Sequence, residues 1–305
     1  MRNSNTAAAQ QQSQAQSQVQ QAQRSEGYPW RRVLFGCSVV LLCWGVGLYR
    51  EYQDEADMRI KQVQDWAFAK IWTHASASSA LRVDPYRGPL WKEQIRGSVL
   101  ELGPGLGEAL LLLTPAKIDK YVVLEPNPFL HSELSDNARR AGFAMHYDLL
   151  TCPDAAEHNT EDSDKLPMLA LVNATLDDEV IPRYVADHAP YDTVVSSLVL
   201  CSVDSLQATL DNVWALLAPG GKFVFVEHVR HGSNTKSWGW VQDALTPVWS
   251  LVAGNCHMNR RTGQALDAMR GWSSVEYSDI TGASDDEQRI VDKLMPLIYG
   301  VATKE

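Results

Sequence analysis

The chain has 305 residues, with 27 basic and 37 acidic side chains and a formal charge of −10. Residues 1–50 hold five arginines and one acid (+4), leaving 22 basic against 36 acidic side chains, or −14, for the rest. So acidic a body excludes nucleic acid as the main partner, 45% hydrophobic residues exclude wholesale disorder, and five cysteines without a C-x-x-C pair exclude a zinc ribbon or disulfide scaffold.

Residues 1–27 are low-complexity, with nine glutamines between Gln10 and Gln23. Such a segment has nothing to bury and is expected to be a disordered tail. A mitochondrial presequence is the alternative, because the stretch is acid-poor and ends in arginines. From Val33 to Tyr49 runs VLFGCSVVLLCWGVGLY, seventeen residues without a charge. At about 1.5 Å per residue a helix of this length covers about 25 Å, slightly short of a hydrocarbon layer of about 30 Å. Tyr28, Trp30, Tyr49 and Tyr52 supply aromatic edges, while Arg31, Arg32 and Arg50 can snorkel to headgroups. The reading is a membrane anchor over residues 28–52, with lipid as its partner. A buried core helix fits less well because the segment has no polar face, and a signal peptide because the run starts far from Met1 and lacks a cleavage site. Basic residues balance on the two sides, leaving orientation undecided.

Residues 53–96 read as a helical connector. Met58, Val63, Trp66 and Ile71 recur at near-helical spacing, suiting a helix laid on the membrane or, by default, on the domain behind it. Pro85, Gly88 and Pro89 are expected to break the chain before one domain spanning 97–305.

That domain alternates strand-like and helix-like runs, the signature of an α/β fold with a doubly wound, Rossmann-like sheet. Strands are expected at Ser98–Leu102, Tyr121–Glu125, Thr193–Ser197 and Lys222–Glu227. Helices are expected at Glu108–Leu113, His131–Arg140, Ser205–Leu217 and Gly263–Arg270. The acidic run Thr151–Leu166 reads as a surface insertion, so either Met145–Leu150 or Met168–Val172 supplies the third strand.

The chemistry concentrates in VLELGPGLGE, Val99–Glu108. An apolar strand runs into Gly103, Gly105 and Gly107, which permit a tight turn and let backbone approach a ligand. A following helix would add its positive N-terminal dipole. Glu101 heads the turn, where its carboxylate would repel a pyrophosphate and attract a cation. Position 108 is Glu where a dinucleotide fingerprint wants Gly, and no Gly-Lys-Ser/Thr follows, which excludes a P-loop. Glu125 ends the next strand, placed to take both hydroxyls of a ribose. A ligand with a ribose, no pyrophosphate and a positive group fits S-adenosylmethionine.

The ordered set VLELGPGLG, YVVLEPNP, YDTVVSSLVLCSV and LLAPGGKFVFVEHV resembles class I S-adenosylmethionine-dependent methyltransferases over Leu90–Lys304. The EPNP, LVLCSV and PGGKFVFVEHV wording, with WGWVQDALTPVW, CHMNRRT and LIYGVATK, is similar to the membrane-anchored methyltransferase-like family of thiol S-methyltransferases. The resemblance implies that Glu101, Gly103, Gly105 and Gly107 hold the methionine part and Glu125 the ribose. Many members place a Gly-acid pair at the third strand to hold adenine. This chain has Asn173-Ala174-Thr175 there, and the Asn173 amide can still hydrogen-bond a base.

On the acceptor side a thiol reacts as thiolate, favoured by a nearby base or positive field. His228, ending a predicted strand at the ligand edge, is the candidate base, although a histidine there is often only structural. Cys201 is expected to pack in the core. Cys256 beside His257 has too few partners for zinc, and no metal is expected. Trp238, Trp240 and Trp249 are expected to cap the sheet and border the acceptor site. The sequence thus implies a membrane-anchored methyltransferase acting on a small lipophilic acceptor, a thiol first. The alternatives are O- or C-methylation of a quinone or sterol, or a non-catalytic assembly factor. The resemblance implies endoplasmic reticulum or lipid droplets, with a mitochondrial inner membrane as the other option. The sequence is silent on oligomeric state.

Overall fold

The computed structural model describes residues 29–148, 150–152, 166–176, 181–232, 236–280, 290 and 292–305; the side chains of 29–52 and 236–237 are not among the features described. The tail expected over 1–27 and most of the 151–166 insertion lie outside the described residues. The chain divides into two units, with the boundary between Lys61 and Gln62.

Helix α1 runs over Pro29–Gln94. The expected break at Pro85 and Pro89 does not occur, since both prolines lie inside the helix. Each costs about 3 kcal/mol in a helix interior. Val83, Trp91 and, just beyond the helix, Ile95 offset this by burying almost completely in the sheet's core. The expected packing face is also corrected: Met58, Val63, Trp66 and Ile71 are all exposed. The buried side chains are Ala69, Ser76, Val83, Arg87 and Trp91, whose spacing of four to seven residues returns to one side of a helix. Polar members are admitted because they are paired: the Ser76 hydroxyl donates to Glu108 (3.3 Å), and Arg87 donates to Asp84 and to Ser197 Oγ (3.1 Å).

The remaining elements are β1 (Gly97–Leu102), β2 (Ile118–Leu124), α2 (His131–Arg140), β3 (Ala144–Tyr147), β4 (Met168–Val172), α3 (Arg183–Asp187), β5 (Tyr191–Ser197), α4 (Leu206–Leu216), β6 (Leu217–His228), α5 (Lys236–Val252), α6 (Thr262–Ala268), β7 (Trp272–Ile280) and β8 (Leu297–Lys304). The sheet order is β3-β4-β2-β1-β5-β6-β8-β7. The first six strands are parallel, and β8 and β7 return antiparallel. Both candidates for the third strand are therefore strands. β4 pairs with β2, and β3 lies outside it. Glu108–Leu112 is a short 3-10 helix, not the expected α-helix, so it brings little dipole to the glycine turn.

Alternate strand residues feed two cores, as the period of two requires. Leu100, Leu102, Val122, Leu124, Val194 and Phe225 pack with Leu210 and Val213 of α4. Val99, Tyr121, Val123, Val195 and Val224 pack with Trp91 of α1 and Leu134 of α2. Chain order reverses between β1 and β5, so the carboxyl edge of these strands is where an open α/β sheet receives a ligand.

Candidate active site

Strand register places the predicted residues along that edge. Leu102 is level with Leu124, Leu124 with Val172, and Leu102 with Ser196. Glu101, the glycine turn, Glu125 and Asn173 consequently follow adjacent strand ends. Gly103, Gly105 and Gly107 all have positive φ (51°, 61° and 74°). At Gly105 the requirement is twofold, because a Cβ there would also lie 3.0 Å from Trp72 Nε1 of α1.

Gly105 N–H donates to Glu125 Oε2, and Asn127 N–H donates to Oε1, both at 2.9 Å. Each carboxylate oxygen retains acceptor capacity for a hydroxyl. Burial pushes Glu125 up to about 7, against the pull of these two N–H donors. Glu101 is buried one strand away, and the Tyr121 hydroxyl donates to its Oε2 at 2.9 Å. Burial likewise raises Glu101 to about 7, opposed by the Tyr121 bond and by the Arg87 charge. Two carboxyls poised near neutrality beside one turn are ready to ionise when a cation arrives. Asn173 follows β4, with its N–H donating to Thr151 Oγ1 at 3.0 Å and its residue half-buried.

His228 ends β6, as expected, but is 5% exposed, with Nε2 3.0 Å from Cys256 Sγ. Cys201 completes a buried group: one donor atom from each of Cys201, His228 and Cys256 lies within 4.8 Å of the others. The Trp249 indole N–H donates to Cys256 Sγ at 3.2 Å. The hydrogen bond from Cys201 draws the Cys256 thiol well down despite burial, with His228 and Trp249 adding to the effect. Cys201 moves up as its counterpart, through that bond and its own burial. Burial pushes His228 down, but the bond to Cys256 and the charges of Cys256 and Glu227 more than reverse it. The pair adjacent in sequence, Cys256 and His257, does not form the cluster, since His257 Nδ1 lies 2.7 Å from the Asn255 carbonyl. Of the three tryptophans, Trp249 reaches the cluster and Trp240 is exposed; Trp238 lies beneath the Lys293 ammonium.

Sequence reasoning missed four contributors. Tyr121 holds Glu101, Arg87 adds its charge, Trp72 closes on Gly105, and Asp65 of α1 accepts the Asn127 side-chain N–H through its carbonyl at 2.9 Å. The helical stripe Asp65, Ala69, Trp72, Ser76 was the available signal, obscured by its polar members.

A family model described as a methyltransferase domain matches residues 83–269. The chain belongs to this methyltransferase-domain family. The domain is similar to the thiol S-methyltransferase TMT1A of Homo sapiens, 35% identical over 113 residues, 37% of this chain and 43% of that protein. It is also similar to the thiol S-methyltransferase TMT1B of Rattus norvegicus, 33% identical over 116 residues, again 37% and 43%. The match thus spans less than half the length of these relatives. Among solved structures, the complex of the Haloferax volcanii Trm112 methyltransferase activator with a putative methyltransferase resembles it at a TM-score of 0.50 and 19% identity. That match covers 79% of this chain and 96% of the other, and it speaks to the fold. The cofactor of the methyltransferase domain is S-adenosylmethionine, and the residues present fit it. The Gly105 turn leaves a place that a Cβ would fill, and Glu101 and Glu125 offer the acceptors that its cationic end and its ribose need.

Proposed function

We propose that the chain moves a methyl group from S-adenosylmethionine to a small lipophilic acceptor, a thiol. The observation that carries the donor half is the pairing of Glu101 and Glu125 around the Gly103–Gly107 turn. When bound, the cofactor supplies an electrophilic methyl group on a sulfonium. Glu101 and the three glycines would hold its methionine part, Glu125 its ribose hydroxyls and Asn173 its base through the side-chain amide. Because α1 brings Trp72 and the Asp65 carbonyl onto this turn, it would exclude water from the donor side.

The names of the relatives and the sulfur-rich cluster at the end of β6 support a thiol. Methyl transfer to sulfur needs a deprotonated nucleophile, so a site that favours thiolate suits it. As the proposed base, His228 would act on that protonation state through Cys256, the group its Nε2 faces. Given equimolar alkyl thiol and phenol of similar size with S-adenosylmethionine, the full chain should yield at least ten times more thioether than aryl ether by mass spectrometry. The opposite ratio would establish the O-methylation reading.

We further infer that residues 28–52 anchor the chain in the endoplasmic reticulum or a lipid droplet membrane, where lipophilic thiols concentrate. Among the described residues no helix is long and apolar enough to cross a membrane, and the side chains of Val33–Tyr49 are not among those described. The composition of that run supports the anchor. Leu41→Arg with Val39→Arg costs about 2.5–3.5 kcal/mol per substitution at a bilayer centre and should move the chain into the carbonate-extractable fraction; unchanged retention would remove the anchor.

A further inference from the structure

Cys201, His228 and Cys256 come from three different places: the turn after β5, the end of β6 and the loop after α5. The last of these loops is stitched to the first without help from either sulfur. His257 N–H donates to the Cys201 carbonyl at 2.8 Å, and the Asn255 side-chain amide donates to the Ser202 carbonyl (2.9 Å) and the Asp204 carboxylate (3.0 Å). Arg260 adds a bond to the Val203 carbonyl. Among the described residues, the two non-glycine residues at positive φ are Leu198 and Asn255, both at 61°. Each stands within three residues of one cysteine. At Leu198 this conformation stores backbone strain, and such strain collects where a geometry is held for a purpose, whereas an asparagine such as Asn255 adopts it readily.

The result is two sulfurs and an imidazole, all buried and all within 4.8 Å. His228 Nε2 faces Cys256 Sγ, while its Nδ1 is buried with no hydrogen-bond partner among the described residues. Tetrahedral coordination at about 2.3 Å to sulfur and about 2.0–2.1 Å to nitrogen sets donor atoms about 3.5–3.8 Å apart, inside the 4.8 Å that spans these three donors and wider than the 3.0 Å between His228 Nε2 and Cys256 Sγ. Two thiolates and a neutral imidazole neutralise a dication, so the filled site would bury no net charge. A monovalent soft ion would leave one negative charge buried. The Trp249 N–H on Cys256 Sγ and the Ser202 hydroxyl 3.4 Å from Cys201 Sγ are the outer-shell contacts that a metal thiolate wants. The neighbouring Glu227 does not offer a fourth ligand. Its Oε1 accepts from Ser196 Oγ and Val199 N–H, and its Oε2 from Leu200 N–H.

We propose that Cys201, His228 and Cys256 bind a zinc-class divalent ion with three protein ligands and leave the fourth position open. Three ligands and one open position are the pattern of catalytic rather than structural zinc. A deeper assignment rests on the thiol reading above: the open position takes the acceptor sulfur as thiolate, whose added negative charge the donor sulfonium balances. The acceptor's S–H proton passes to solvent, and a sulfur lone pair forms the new S–CH3 bond. The donor S–CH3 bond breaks with its electrons returning to the sulfonium sulfur, and the neutral thioether, a weaker ligand, departs.

The test uses the full chain in detergent, stripped with chelator under reducing conditions, dialysed and titrated with Co2+. One equivalent should produce thiolate charge-transfer and tetrahedral d–d bands that Zn2+ abolishes. His228→Gln and Cys201→Ser should each weaken uptake at least tenfold, while His257→Gln should leave it unchanged. Because a cysteine variant can misfold, the zinc content of wild-type chain purified without chelator is measured in parallel and should approach one per chain. A folded wild-type chain that gives no cobalt bands and carries no zinc overturns the site. So does a chain whose bands survive in both folded variants. Thiol methylation by a chain that binds no metal removes the site but keeps the thiol reading. Metal binding with no methylation of any thiol removes that reading and the deeper assignment but keeps the site.

Discussion

Gly105 N–H donates a 2.9 Å hydrogen bond to the Glu125 carboxylate. Twenty residues apart in sequence, the two lock the turn after β1 to the end of β2, so the carboxyl proposed for ribose also fixes the backbone proposed for methionine. The coupling means that neither part of the donor site can be altered alone.

Gly105→Ala should therefore damage both stability and binding. A left-handed alanine costs about 1–2 kcal/mol, and its Cβ would press on Trp72 Nε1 at 3.0 Å. For a domain of this size each kcal/mol lowers Tm by about 2–4 °C. Thermal unfolding by circular dichroism should show a loss of several degrees, and Trp72→Ala in the Gly105→Ala background should recover only the contact part. An unchanged Tm would mean that the turn does not hold this conformation.

Stability of the cofactor-free chain should fall as pH rises. Glu101 and Glu125 titrate near 7 when folded against 4.5 for an ordinary glutamate. Between these values the folded state keeps protons that the unfolded chain has released, so stability from these groups is complete below about 4.5 and lost through about 7. The groups that face them act in both directions. Tyr121 and Arg87 lower Glu101, the Asn127 and Gly105 N–H groups lower Glu125, and Asp65 and Glu101 raise Glu125. Denaturant midpoints at pH 5, 6, 7 and 8 measure this, and Glu101→Gln should flatten the profile. A midpoint contribution from these groups that rises with pH would reverse their assignment.

Trp91→Ala should cost about 3–5 kcal/mol, the usual loss for a fully buried indole, because Trp91 is 1% exposed in the core beneath α1. Trp240 is 70% exposed, and its replacement by Ala should change stability by no more than about 0.5 kcal/mol. Urea unfolding of the two variants compares them directly, and equal losses would contradict the packing of α1.

How much of this was legible in the sequence depended on distance along the chain. Glu101, the three glycines and Glu125 were legible because strand, turn and next strand lie within 28 residues. Apolar run, glycine alternation and acid each carry a local meaning there. The packed face of α1 was not, because Ser76 and Arg87 belong to it through hydrogen bonds to Glu108 and Ser197, while the apolar period of Met58, Val63, Trp66 and Ile71 marks the exposed side. β7 escaped because most of its residues are exposed at the sheet edge, so no hydrophobic alternation announced it. The grouping of Cys201, His228 and Cys256 was least visible. Each residue is at least 27 positions from the next, and the suggestive neighbour His257 turns to the Asn255 carbonyl instead.

Calorimetric titration of the full chain with S-adenosylmethionine at pH 7.5 asks whether Glu101 and Glu125 hold the methyl donor, with Glu101→Gln and Glu125→Gln compared under the same conditions. One site per wild-type chain is expected, with affinity at least tenfold weaker in each variant, a loss of about 1.4 kcal/mol or more. No binding by the folded wild type, or equal affinity in all three proteins, would contradict it.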